Sequence, residues 1–140
     1  MTNKEIVKAF FVESYQNHRY DFAMKHMAVD YYDHSPAAAR SNQEAVGILK
    51  VVEAMFSDLQ IEVLDLIEEK DRVASRIKFT GIHTGICMGI KPTGKRIEFE
   101  ALENFRLKDG VITESWGYWP DLSIKAFLEE NPLEGLEDNR

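Results

Sequence analysis

The stretch FTGIHTGICMGIKPTGKRIEFEALENFRLKD, Phe79 to Asp109, decides the fold. An apolar strand runs to a histidine, His83. Three glycines recur in four-residue steps around it, Gly81, Gly85 and Gly89, before a Pro92-Thr93-Gly94 turn and a long alternating strand that ends at Asp109-Gly110. Glycine lets a strand bend or another backbone come close, so this spacing predicts a corner in a sheet rather than a straight edge. A sheet bent there curls into a half-barrel, and its hollow needs helices as a lid.

Working outward, Val73, Ser75, Ile77, Phe79, Gly81 and His83 share one face of the first strand, with Arg76, Lys78 and Thr80 on the other. Upstream, Leu59 to Ile67 alternates and the charged cluster Glu68 to Asp71 turns the chain back, which reads as a hairpin. Downstream, Phe99, Ala101, Glu103 and Phe105 lie on one side. Asp109-Gly110 then makes a tight turn into Val111 to Trp119. Pro120 ends that strand, and Leu122, Ile124, Phe127 and Leu128 suit a short closing helix.

Three helices are expected before the sheet. Thr2 and Glu5 have capping-box spacing ahead of Ile6, Val7, Phe10, Phe11, Ser14, Tyr15 and His18. Asp21 can cap a short second helix, after which Val29 to His34 alternates and stops at Ser35-Pro36. Ser41 and Glu44 open a third helix through Met55 and Phe56. The pattern gives one α+β domain over residues 1–130, a curved antiparallel or mixed sheet covered by three N-terminal helices with an internal cavity, and a loose acidic tail at 131–140. Both sheet faces carry apolar residues, so the outer one is expected to meet a second copy in a homodimer.

At 140 residues, 44% hydrophobic and 11% aromatic, the chain can build one core with aromatic walls. Its net charge of −7 includes no basic run, which argues against nucleic acid and anionic membranes as partners. No apolar run approaches the ~20 residues that span a bilayer. A single cysteine and a start, MTNKEIVK, without an apolar signal core point to the cytoplasm. The glycines near Lys95 lack the spacing of a phosphate-binding loop. His34 and His83, with Asp33 or Asp121, match no metal-ligand spacing, and Cys87 has no adjacent base.

Several spaced motifs occur together: Tyr32-Asp33-His34; Phe79-x-Gly81-x-His83-x-Gly85; Gly89-x-x-Pro92-Thr93-Gly94; Phe105-Arg106; and Gly110-x-Ile112-x-Glu114-x-Trp116 before Asp121. In this order they resemble the SnoaL-like polyketide cyclases, a branch of the nuclear transport factor 2-like superfamily of cone-shaped α+β folds. The resemblance implies a cofactor-free cyclase in which Asp121 acts as acid and base, with His34 and His83 facing the same pocket. Gly117 to Pro120 is one residue longer than the family's usual spacing before the aspartate, which implies a bulge or shifted register there.

The implied chemistry removes an acidic α-proton beside carbonyl groups of a small apolar compound and closes a ring in an intramolecular aldol reaction. It needs a carboxylate in an apolar site, Asp121, and a donor for the developing oxyanion, His34 or His83. Phe79, Phe99, Tyr118 and Trp119 are expected to shape the hollow. Tyr15, Tyr32, Met55, Glu103 and Trp116 complete the expected substrate-binding set. Each has a plainer reading. Asp121 can cap the last helix, His34 can bond a carbonyl at a strand end, and His83 can be a satisfied core histidine. Glu103 can be a second buried carboxylate or can pair with Arg76 or Lys78. At the level of function, the alternatives are a non-catalytic binder or dimerisation module and a hydrolytic, epoxide-opening use of the pocket.

Overall fold

The structure, a computed structural model, describes residues 1–130; the acidic tail lies outside the described residues. Helix α1 (Asn3–Ala9) starts at the Thr2–Glu5 capping box, in which Thr2 Oγ1 accepts from the Glu5 amide and Glu5 accepts in return. From Phe10 to Gln16 the chain widens into a π segment, with the Asn17 amide reaching back five residues to the Val12 carbonyl. The wider turn aligns Phe10, Phe11, Ser14 and Tyr15, all buried, on one inward face. Helix α2 (Tyr20–His26) leads into β1 (Met27–Asp33). Asn42 Nδ2 then ties the carbonyls of Met24 and Met27 to the start of α3 (Asn42–Met55), where Ser41 caps the Glu44 amide.

Four long strands follow or flank the corner: β2 (Phe56–Glu69), β3 (Arg72–His83), β4 (Arg96–Lys108) and β5 (Val111–Tyr118), before α4 (Asp121–Glu129). The sheet order is β1-β5-β4-β3-β2, with β1 parallel to β5 and the other pairs antiparallel. The expected α+β half-barrel of mixed sheet under three N-terminal helices is therefore the architecture, left open between β1 and β2. Asp109 and Gly110 both have positive φ, 51° and 78°, as a tight hairpin turn requires.

Alternation along β3 and β4 puts Val73, Ile77, Phe79, Ile97, Phe99 and Phe105 in the core. Phe79 stacks on Phe99 with ring centres 5.2 Å apart and meets Tyr15 edge-on at 5.2 Å. The outer face carries cross-strand ion pairs instead. Arg76 bridges Asp65 and Glu100, each at 2.8 Å, while Lys78 lies between Glu62 and Glu98 at 3.5 and 3.6 Å.

The corner after β3 is held by close approach as well as by turning. A Cβ at Gly85 would lie 1.8 Å from the Ala54 carbonyl oxygen, so only glycine lets this loop seat on the end of α3. There the amides of Thr84 and Gly85 both donate to the Met55 carbonyl, which the helix leaves free. Farther along, Lys95 Nζ donates to the Phe127 carbonyl at 2.8 Å, a cation at the C-terminal end of α4. The corner thus anchors the helix that begins with Asp121.

Candidate active site

The inner sheet face, α3, the π segment and the chain after β1 bound a pocket of about 560 Å³. That volume suits a small organic ligand. Helix α3 supplies an apolar wall, Ala45, Ile48, Leu49, Val52 and Met55, and Tyr15 closes the side under the π segment. Strands β1, β4 and β5 contribute the polar groups: Tyr31 and Asp33, Glu103, and Ser115. Tyr118, Trp119 and Asp121 form one rim, Ser35 to Ala37 the other.

Glu103 sits in the middle of β4, with its Cα paired to Gly117 on β5. A Cβ on Gly117 would come within 2.9 Å of Glu103 Cγ and Cδ, so the glycine is the space in which this side chain lies. Trp119 Nε1 donates to Glu103 Oε1 at 3.2 Å. Loss of water inside the pocket pushes the carboxyl up to about 7; Trp119 opposes that rise and the nearby Asp33 adds to it. Asp33 accepts from the Ser35 amide and hydroxyl, both at 2.8 Å. Tyr31 and Ser115 share a hydrogen bond beside it. Burial drives the Tyr15 phenol well above its usual range and raises that of Tyr31 too, so both stay neutral donors. Among the described residues, three acids and no basic side chain line the pocket.

Tyr15, Met55, Glu103, Tyr118, Trp119 and Asp121 meet at this pocket. Asp121 is the first residue of α4, Pro120 occupies the cap position, and no side chain caps the helix. Its carboxylate stands exposed on the rim. Phe79 and Phe99 do not reach the surface of the pocket; they back Trp119, at 4.8 and 5.1 Å between ring centres.

Four expected site residues lie elsewhere. His34 Nε2 bonds Glu114 at 2.8 Å, and its ring lies flat on Trp116, 4.6 Å away and 2° from parallel, with Tyr32 at 4.5 Å. This cluster is on the outer face, where the bond from His34, helped by Arg106, holds the Glu114 carboxyl below its usual range. The physical reason is parity. Along β1 the buried positions are Met27, Tyr31 and Asp33, so Tyr32 and His34 point the other way. In β5, Arg106 pairs with Glu114 but Leu107 with Ile112, leaving Thr113 as a bulge. Beyond the bulge Ser115 and Gly117 turn inward and Trp116 outward. The bulge expected between Trp116 and Asp121 is therefore upstream of both, and pairing from Trp116 to Tyr118 is continuous.

His83 does lie on the inner face, fully buried, but beyond the pocket's end. Its Nδ1 accepts from the Thr93 amide at 3.2 Å, which leaves Nε2 to carry the proton of the neutral tautomer, and Nε2 has no partner among the described residues. It pins the Pro-Thr-Gly turn. Asp33, Tyr31 and Ser115 are the pocket residues that the motif reading passes over. Correct parity in β1, signalled by Asp33-His34-Ser35 as a side-chain turn, would have found the first two.

A model of the SnoaL-like polyketide cyclase family matches residues 5–127. No functionally curated protein matches the chain. Among solved structures, a candidate SnoaL-like polyketide cyclase from Jannaschia sp. CCS1 is 22% identical with a TM-score of 0.84, over 91% of this chain and 92% of that one. IdmH, a candidate polyketide cyclase from Streptomyces antibioticus, is 25% identical with a TM-score of 0.80, over 92% and 100%. AclR, a candidate hydroxylase from Streptomyces galilaeus, is 29% identical with a TM-score of 0.74, over 87% and 93%. With a family match across most of its length and the α+β architecture of these neighbours, the chain belongs to the SnoaL-like polyketide cyclases.

Proposed function

We propose that the protein is an acid–base enzyme that needs no cofactor and closes a ring, or moves a proton, in a small hydrophobic carbonyl compound. The observation that carries this reading is an apolar pocket with a rim carboxylate, Asp121, the residue that the motif resemblance implies as acid and base. Asp121 takes the α-proton, and the electron pair spreads into the adjacent carbonyl as an enolate. Enclosure by α3 and the aromatic layer strengthens every polar contact to that charge. The exposed Ile67, Leu102 and Tyr118 on the outer sheet support a second copy docking there, and a single buried thiol, Cys87, suits a reducing cytoplasm. Among the described residues no helix is long and apolar enough to cross a membrane.

One observation favours a second reading, a non-catalytic binder of the same ligands: Asp121 is open to solvent rather than enclosed with the ligand. Asp121→Asn separates the two. Ring closure of an aryl β-keto ester bearing a second carbonyl, followed by absorbance, should fall at least ~100-fold with the fold intact, as loss of a general base predicts. Undiminished turnover in that variant removes the enzyme reading as stated.

A further inference from the structure

We infer that Glu103 is a second catalytic carboxyl of this pocket, donating a hydrogen bond and then its proton to a ligand carbonyl oxygen, and that the ligand is an uncharged ketone or ester rather than a free acid. This rests on the acid–base reading above and supplies the proton donor expected of His34 or His83, neither of which reaches the pocket.

The argument begins with the Gly117 cradle, which lets the Glu103 side chain lie across β5 and reach the pocket. Oε1 is fixed by the indole N–H of Trp119. Oε2 has no hydrogen-bond partner among the described residues, so one oxygen is held and the other is presented. The surroundings favour a proton on it. From β1 it faces the acid Asp33 and the phenol of Tyr31, and from the π segment the phenol of Tyr15, while the acid Asp121 at the start of α4 lines the same pocket. From β3, uncharged Ser75 donates to the Glu103 main-chain carbonyl at 2.8 Å, and α3 presents only apolar side chains. Among the described residues no cation stands with these groups. An anionic ligand would therefore meet like charge with nothing to offset it, whereas a neutral carbonyl oxygen accepts from the Glu103 hydroxyl.

The step balances. Asp121 breaks the α-C–H bond and gains the proton as the electron pair moves onto the carbonyl oxygen. Glu103 gives that oxygen its proton, forming an enol and a Glu103 carboxylate. As the enol carbon bonds to the second carbonyl carbon, the enol proton returns to Glu103, and the new alkoxide takes the proton held by Asp121. Both carboxyls end as they began, and the product is an isomer of the substrate.

Two measurements without turnover test Glu103, whereas the acid–base reading is decided by turnover of Asp121→Asn alone. In protein labelled with ¹³C at glutamate carboxyls, the signal lost in Glu103→Gln should titrate near neutrality, and in Trp119→Phe, which lacks the bond favouring the ionised form, it should titrate at higher pH. Titration alongside the exposed carboxylates, or a downward move in Trp119→Phe, overturns the inference. By calorimetry, 2-acetylnaphthalene should bind at pH 6 at least ~10-fold more tightly than 2-naphthoate, and its affinity should fall about tenfold by pH 8, because an ionised carboxyl cannot donate. Glu103→Gln should hold affinity within about twofold over that range. Equal binding of ketone and acid, or a pH dependence that survives in Glu103→Gln, overturns it.

Discussion

Replacing Glu103 by Gln should make the protein more tolerant of alkaline pH. An unfolded chain loses this proton near 4.5, while the folded protein holds it to about 7 because the pocket strips water from the carboxylate. Between those values the native state binds more protons than the unfolded one, so stability falls as pH rises, and the full penalty stands by pH 8. At ~1.4 kcal/mol per pH unit the gap amounts to about 3 kcal/mol, reduced where water enters the pocket. Gln keeps the shape and cannot ionise. Urea unfolding of both proteins at pH 5, 6, 7 and 8 and constant ionic strength isolates the effect, since the oppositely shifted Glu114, which stabilises above its usual range and ceases to as pH falls, cancels in the difference. From pH 5 to pH 8 the variant should gain ~2–3 kcal/mol relative to the parent, on the order of 1.5 M in urea midpoint. A difference that stays flat, or that favours the parent at pH 8, refutes the buried-acid reasoning.

Two further outcomes follow from the geometry. Gly85→Ala drives a methyl group into the Ala54 carbonyl, which is backbone and cannot swing away; it should cost about 3 kcal/mol and lower Tm by roughly 10 °C in a calorimetric scan. His34→Ala removes a half-exposed bond and a stacking partner on the outer face; it should cost no more than ~1 kcal/mol and leave turnover within about twofold.

The elements were legible where local chemistry and pattern agree. The Thr2–Glu5 box, the Asp109-Gly110 turn and the alternation of β3 and β4 each predict what forms. The site was legible only where parity was undisturbed. Glu103 falls on the inner face because β4 is regular, and its rival partners, Arg76 and Lys78, are engaged on the other side of the sheet. Trp116 was misread because a single extra residue at Thr113 flips everything after it, and a bulge has no strong sequence mark. His83 shows the second limit. Alternation gives the face on which a side chain lies but not its distance along the strand from the pocket. The π segment shows a third, since 3.6-residue periodicity describes the Phe10 to Tyr15 stripe without revealing the wider turn that aligns it.

The most direct measurement is a crystal structure of the protein with a neutral aryl ketone bound. The account predicts the ketone oxygen within hydrogen-bond reach of Glu103 Oε2 and the α-carbon turned toward Asp121, with the aromatic ring against α3. A ketone oxygen pointing away from Glu103, with the α-carbon remote from Asp121, would contradict it.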